Sequence, residues 1–168
     1  MRPLKILVTG AVGAGKTTFI RHVSETEVVT TEARSDETPG KTETTVALDY
    51  GRTSVHSRDV HLFGTPGQKR FSYMWETLSE GMDGMIVLVH ARHDRAAQHT
   101  DALLRTIREA SGAAPFVVGL THTDRPEAPP EAKLTRALAQ DALVVTPTDA
   151  RGTADGRALP ERLVSHLL

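Results

Sequence analysis

The residues with the clearest capacity for chemistry form one glycine-rich segment near the start of the chain. It reads Gly10-Ala11-Val12-Gly13-Ala14-Gly15-Lys16-Thr17 and matches the phosphate-loop pattern G-x-x-x-x-G-K-[ST]. Glycines let successive backbone N–H groups face phosphate oxygens, and a helix N-terminus adds its positive dipole end. In this pattern Lys16 reaches the β- and γ-phosphates, and the Thr17 hydroxyl ligates Mg²⁺. The segment therefore predicts a nucleotide site, with contacts from Gly10, Val12, Gly13, Ala14, Gly15, Lys16, Thr17 and Thr18.

The elements that position this segment alternate between strands and helices. Apolar runs and turn residues predict strands over Leu4–Thr9, Thr45–Val55, Val60–Gly64, Gly84–His90, Phe116–Thr121 and Ala142–Thr146. Helical periodicity predicts helices over Lys16–Ser24, Gln68–Glu80, Ala96–Ala110, Glu131–Ala139 and Leu159–Leu167. This order predicts a doubly wound α/β fold with a mostly parallel, six-stranded sheet in which one strand is antiparallel. Residues 1–168 are expected to form one domain, in which the polar Glu25–Thr44 is a mobile loop.

Composition narrows the class of nucleotide protein. The 168 residues carry a net charge of −1 with interspersed signs, so no basic face indicates nucleic-acid binding. The chain has no cysteine, which removes disulfides, thiolate metal sites and lipid attachment through a thiol. Met1-Arg2-Pro3 leads straight into a strand, and no apolar run approaches the roughly 20 residues that cross a bilayer. We expect a soluble, cytoplasmic protein without a direct membrane anchor.

Three further motifs resemble those of Ras-like small GTPases. They read Thr44-Thr45-Val46-Ala47-Leu48-Asp49-Tyr50-Gly51, Leu62-Phe63-Gly64-Thr65-Pro66-Gly67-Gln68 and Val118-Gly119-Leu120-Thr121-His122-Thr123-Asp124. Their sequences resemble those of a bacterial branch of small GTP-binding proteins that is grouped with the signal recognition particle receptor β subunit. The conservon and gliding-motility GTPases are relatives of this branch. The resemblance runs from Leu4 to about Arg151. It implies a three-layer P-loop NTPase fold, the Ras-like G domain, that binds GTP and GDP with Mg²⁺.

The resemblance also implies roles for residues in the two switch regions. Thr45 matches the switch I threonine that closes on Mg²⁺ and the γ-phosphate. Thr44 is the alternative residue for this role. Gly67 matches the switch II glycine whose N–H senses the γ-phosphate. Gln68 matches the glutamine that orients the attacking water, which makes Lys16, Thr45 and Gln68 the candidate catalytic set. The alternative interpretations are ordinary strand threonines at 44 and 45 and a polar residue at a helix start for Gln68.

One switch II position departs from the Ras-like pattern. Most Ras-like proteins have an aspartate, which supports Mg²⁺, where this chain has Gly64. Asp59 lies at the far end of its strand, and Asp49 is no obvious substitute in the sequence. Weaker Mg²⁺ retention and slow unaided catalysis are therefore expected.

The base-recognition motif departs as well. Ras-like proteins carry Asn-Lys-x-Asp where this chain has Thr121-His122-Thr123-Asp124. The resemblance implies that Asp124 accepts from the guanine N1–H and amine, that Thr121 lacks the usual amide tether, and that His122 covers the base. Thr148-Asp149-Ala150 resembles the Ser-Ala-Lys loop, which places Asp149 and the Ala150 N–H near guanine. The alternatives are a helix-capping aspartate and a polar turn.

Together these motifs predict a GTP-dependent molecular switch that hydrolyses GTP slowly. The relatives imply a regulatory partner at the switch regions, either a roadblock-type protein or a GTPase activator. A nucleotide-gated binding module with negligible turnover is the main alternative, and Gly64 favours it. A P-loop ATPase or kinase is a further alternative, which Asp124 and Thr65-Pro66-Gly67-Gln68 oppose.

Overall fold

The structure, a computed structural model, describes residues 1–35, 44–67, 73–92, 95–112, 114–124, 131–139 and 142–168. Within these ranges the strands are β1 (Leu4–Gly10), β2 (Val29–Ser35), β3 (Thr44–Val55), β4 (Arg58–Gly64), β5 (Gly84–His90), β6 (Phe116–Thr121) and β7 (Val145–Pro147). The helices are α1 (Lys16–Val23), α2 (Tyr73–Ser79), α3 (Ala96–Ser111), α4 (Glu131–Leu138) and α5 (Thr153–Leu167).

The strands form one seven-stranded sheet in the order β2-β3-β4-β1-β5-β6-β7. The pairs from β4 through β7 are parallel, whereas β2–β3 and β3–β4 are antiparallel. The doubly wound fold predicted from the sequence is thus confirmed, but the sheet has seven strands instead of six. Because β1 lies centrally between β4 and β5, the loop that follows β1 opens at the carboxyl edge of the parallel strands, where ligands bind in such folds.

The additional strand, β2, lies inside the segment predicted to be a mobile loop. It pairs antiparallel with β3 from Val29 opposite Tyr50 to Ser35 opposite Thr44. An edge strand needs hydrogen bonds on one side only, so its sequence need not show a continuous apolar face. The run Val28-Val29-Thr30-Thr31 is nevertheless rich in β-branched residues, which favour strands. The expectation of an unstructured loop was therefore wrong for residues 29–35.

Two apolar layers cover the two faces of the sheet. In β1 the alternation of side chains sends Ile6 and Val8 to one layer and Leu7 to the other. The first layer is completed by α1 and α5 through Phe19, Ile20, Val23, Leu159, Leu163 and Val164. The second is completed by α2, α3 and α4 through Trp75, Ala96, Leu104, Ile107, Leu134 and Leu138. This burial on both faces explains the near-continuous apolar runs of β1, β5 and β6.

Helix α5 begins six residues earlier than the sequence predicted. Pro160 lies inside the helix. Proline lacks the N–H that would bond four residues back, at Gly156. Gly156 packs closely on α1, since a Cβ there would lie 2.9 Å from a Val23 methyl carbon. Burial of Leu159, Leu163 and Val164 holds the helix together through the proline.

Candidate nucleotide-binding site

The glycine-rich segment joins β1 to α1 as predicted, and its glycines are required by geometry. A Cβ on Gly10 would lie 2.2 Å from the Leu88 carbonyl oxygen, so no side chain fits. Gly15 caps α1 with a left-handed φ of 97°, a conformation that L side chains rarely adopt. The Phe19 N–H already bonds the Gly15 carbonyl at 2.8 Å, which starts the helix at once. The first-turn N–H groups of α1 therefore face the open end of this loop.

Lys16 points back over the same loop. Its ammonium donates to the carbonyl oxygens of Gly10 and Ala11 at 2.8 and 2.9 Å. Burial lowers the pKa of Lys16 to about 8, while the nearby charge of Asp49 acts in the opposite direction. Gly67 lies against this ammonium, because a Cβ at Gly67 would be 2.8 Å from Lys16 Nζ. The predicted phosphate lysine and the predicted switch II glycine are thus brought together.

Thr17 contacts a carboxylate that sequence reasoning set aside. Its hydroxyl donates to Asp49 Oδ2 at 2.5 Å, and the Thr30 hydroxyl donates to Asp49 Oδ1 at 2.8 Å. Asp49 lies on β3 and is only 6% exposed. Nothing local in the sequence points to Asp49, because the contact joins residues 32 positions apart. The sequence left open which residue replaces the aspartate missing at Gly64, and in the structure Asp49 is a carboxylate in direct contact with Thr17.

Thr45, the predicted switch I threonine, and its alternative Thr44 are not brought to this point. Thr45 lies in β3 and pairs with Arg34 of β2, and Thr44 pairs with Ser35. Four residues of extended strand, about 13 Å, separate the backbone of Thr45 from that of Asp49. Gln68 lies outside the described residues. Role assignments for Thr45 and Gln68 therefore stay predictions.

A cavity of about 410 Å³ adjoins the start of α1 on the other side. It is bounded by the loops that follow β6 and β7. These two strands are parallel, so both loops lie at the same edge of the sheet. The predicted site residues among its lining are Gly15, Thr18, Thr121, His122, Asp124, Asp149 and Ala150. One cavity thus collects residues from three separate predicted motifs.

Two side chains of the base-recognition motif are held firmly. The buried Thr121 hydroxyl lies 2.9 Å from the Ala14 carbonyl oxygen, to which it donates. Thr121 lacks the amide of the usual asparagine, as noted from the sequence, but its hydroxyl still connects this motif to the phosphate loop. His122 adopts a left-handed φ of 60°, and its ring stacks on His90 with centroids 3.8 Å apart and planes 6° from parallel. His90, at the end of β5, was missed by sequence reasoning.

Arg151 connects the two acidic residues of the cavity. Its guanidinium binds both carboxylate oxygens of Asp149, at 2.9 and 3.1 Å, and reaches Asp124 Oδ2 at 3.3 Å. The hydrogen bond from Arg151 lowers the pKa of Asp149 below its usual value. A bidentate guanidinium offsets the repulsion between neighbouring carboxylates. Arg151 was not among the residues predicted from the sequence, because its contact with Asp124 joins residues 27 positions apart.

Comparisons with known proteins agree with this architecture. A family model described as the elongation factor Tu GTP binding domain matches residues 1–154. An uncharacterised protein, MJ1339 of Methanocaldococcus jannaschii, is 33% identical over 88 residues, which are 52% of this chain and 51% of that protein. Translation initiation factor IF-2 of Chlorobium luteolum is 29% identical over 145 residues, or 86% of this chain and 14% of the factor. The chain thus spans about half the length of the first relative and about a seventh of the second.

A solved structure shares the fold along nearly the whole chain. The Arl6 (BBS3) small GTPase of Trypanosoma brucei, with a bound nucleotide analogue, superposes with a TM-score of 0.75. The two sequences are 15% identical, and the match covers 99% of this chain and 98% of that one. Separately, none of the helices in the described ranges is long and apolar enough to span a membrane.

Proposed function

We propose, from the premise that this chain belongs to the elongation factor Tu GTP-binding domain family, that it is a GTP-dependent molecular switch with slow intrinsic hydrolysis. The observation that carries this proposal is the shared cavity. Gly15 and Thr18 of the phosphate-loop region line it together with Asp124 of the base motif. A nucleotide whose phosphates lie over the loop would then have its base within reach of the Asp124 carboxylate.

The base side of the cavity fits guanine better than adenine. An ionised aspartate has acceptors only, and guanine presents two adjacent donors, N1–H and the exocyclic amine. Adenine cannot offer that pair to Asp124. The His122 ring provides an apolar face for stacking, and His90 behind it fixes the plane of the ring. Asp149 and the Ala150 backbone border the same space.

The phosphate side supplies cationic and hydroxyl groups. Lys16 would exchange its two carbonyl partners for phosphate oxygens, which offer full charge in place of partial charge. The Thr17 hydroxyl donates its proton to Asp49, so its lone pairs are left to bind a cation. When bound, Mg²⁺ neutralises charge on the β- and γ-phosphates. The donor set at Thr17 therefore fits Mg²⁺.

The switching element in this proposal is the β2–β3 hairpin. With Thr45 paired across to Arg34, the first residues of β3 continue along the sheet, about 13 Å of strand beyond the Asp49 that contacts Thr17. For Thr45 to act in the triphosphate state, the first residues of β3 must leave β2. The hairpin as described thus corresponds to a state without γ-phosphate contacts from Thr45, and GTP would favour its rearrangement.

A nucleotide-gated binding module with negligible turnover is the second candidate. The position of Thr45 in β3 favours it, since the switch I threonine is not assembled beside Thr17. Single-turnover measurements separate the two functions, because both require GTP binding but only the switch releases phosphate. The P-loop ATPase alternative lacks such an observation, and the acceptor chemistry of Asp124 opposes it.

Turnover should depend on Gln68. We expect GTP hydrolysis by the wild-type protein on the order of 10⁻⁴ to 10⁻² s⁻¹, the intrinsic range of Ras-like and Gα GTPases. Gln68→Leu should lower the rate further, because leucine cannot orient the attacking water. Phosphate release under single-turnover conditions, with bound GTP quantified in parallel, measures both rates.

Gln98→Leu, an exposed change on α3, is the matched control and should hydrolyse GTP at the wild-type rate. Equal rates for wild type and Gln68→Leu would remove Gln68 from the mechanism. Bound GTP with no phosphate release from any of the three proteins would establish the gated binder instead.

Finer assignments rest on the sequence resemblance and stay proposals. These are membership of the bacterial branch related to the signal recognition particle receptor β subunit, and one domain over residues 1–168. They also include a cytoplasmic location and a roadblock-type or GTPase-activating partner at the switch regions. A partner that inserts one arginine would raise turnover by about 10³-fold or more.

A further inference from the structure

We propose that Asp49 is the positioning residue for the magnesium ligand Thr17, in place of the switch II aspartate that Gly64 lacks. This inference rests on the proposed function, since it concerns the Mg²⁺ of a bound nucleotide. In most Ras-like proteins a switch II aspartate supports Mg²⁺. Here Asp49, a residue of strand β3 on the switch I side, takes that role.

The first argument is steric. Tyr50 pairs with Phe63 across β3 and β4, so Asp49 and Gly64 are cross-strand neighbours at the next position. A Cβ on Gly64 would lie 3.2 Å from the Cβ of Asp49 and 3.0 Å from the Ile20 methyl carbon. Both distances are tighter than ordinary van der Waals contact. Glycine at 64 therefore leaves room for the Asp49 side chain and for the close approach of α1.

The second argument is the hydrogen-bond pattern. A threonine hydroxyl has one proton and two lone pairs. Thr17 gives its proton to Asp49 Oδ2 at 2.5 Å, so the orientation of the hydroxyl is fixed with its lone pairs directed elsewhere. Outer partners of this kind orient a metal ligand and strengthen it as a donor. A carboxylate that is 6% exposed also contributes negative charge beside the cation position.

The third argument is the support behind Asp49. Its second oxygen accepts from Thr30 of β2, which lies directly opposite in the β2–β3 register. Asp49 thus joins the Mg²⁺ side of the site to the hairpin proposed to move. Gly64 alone was expected to weaken Mg²⁺ retention. In this proposal the weakening is smaller, because Asp49 supplies the carboxylate from the neighbouring strand.

The test is the Mg²⁺ dependence of GDP dissociation, measured with a fluorescent GDP analogue over a Mg²⁺ series. In wild type, Mg²⁺ should slow dissociation. In Asp49→Asn, the Mg²⁺ concentration that gives half of this effect should rise by about 10- to 100-fold, the usual cost of losing an outer metal partner. The dissociation rate in excess chelator should change much less, since no Mg²⁺ is then present.

Two controls separate a metal role from a structural one. Asp59→Asn removes a carboxylate on β4 that pairs with Arg52. Thr30→Val removes only the cross-strand bond to Asp49. Both should keep the wild-type Mg²⁺ dependence within about threefold, well inside the range expected for a lost partner. If Thr30→Val reproduced Asp49→Asn, Asp49 would merely hold β2 in place, and the inference would be overturned.

An exchange variant, Asp49→Gly with Gly64→Asp, keeps the test decisive if Asp49→Asn does not fold. It returns the carboxylate to the usual position, and it should show the Mg²⁺ dependence of wild type within about tenfold. Wild-type Mg²⁺ dependence in Asp49→Asn, or no Mg²⁺ dependence in a GDP-binding exchange variant, would contradict the inference alone. A wild-type protein that binds no GDP would overturn the proposed function with it.

Discussion

Lys16→Ala should lower the affinity for GDP and GTP by about 30-fold or more. The ammonium is half-buried over the phosphate loop, and its removal leaves phosphate charge in a partly desolvated place. Losing one partner of such a pair costs about 2–5 kcal/mol, and about 1.4 kcal/mol corresponds to tenfold in affinity. Isothermal titration calorimetry with GDP, at equal Mg²⁺ and salt, measures the loss directly.

Arg21→Ala is the matched control for this experiment. It removes a cation from the exposed side of the same helix, α1. Its GDP affinity should remain within about threefold of wild type, because exposed charges are screened and contribute little. If Lys16→Ala bound GDP as tightly as Arg21→Ala, the phosphate loop would not be the nucleotide site.

Asp124→Asn should reverse the choice of base. Asparagine offers one acceptor and one donor, so the guanine amine meets a donor, whereas xanthine offers an acceptor at that place. We expect GTP affinity to fall by about 100-fold or more and xanthosine triphosphate to become the better ligand, because unpaired buried polar groups discriminate strongly. Competition of each nucleotide against fluorescent GDP gives the ratio.

Asp155→Asn changes another carboxylate that lines the same cavity. It should leave the preference for GTP over xanthosine triphosphate unchanged, which separates base reading from a general loss of negative charge. The expected shift rests on Asp124 being freed from Arg151 when the base enters. Unchanged GTP affinity in Asp124→Asn would contradict the assignment of this cavity to guanine.

The features that were predictable from the sequence have local signals. β1, β5 and β6 are buried on both faces, so their apolar runs stand out, and the β5 and β6 boundaries were predicted without error. The phosphate loop has backbone positions that tolerate only glycine, such as Gly10 against Leu88. Where burial or backbone geometry restricts the residue types within one short segment, the sequence alone is enough to predict the element.

The features that were missed depend on contacts between distant segments. β2 is an edge strand whose pairing partner, β3, supplies the order that its polar sequence lacks. Asp49 and Thr17 are 32 positions apart, and only the close packing of α1 on β3 and β4 joins them. The stacking of His90 on His122 and the bridge from Arg151 to Asp124 likewise join ends of different strands. The residue pattern within a single segment gives no indication of such pairs.

The measurement that tests the central claim most directly is the nucleotide preference of the wild-type protein. Purified protein is denatured, the released nucleotides are identified by chromatography, and the emptied protein is titrated with GTP, GDP and ATP. The account predicts that guanine nucleotides are released and that ATP competes at least about 100-fold more weakly than GTP, as expected for a site that pairs guanine donors. Release of adenine nucleotides, or competition by ATP equal to that of GTP, would contradict it.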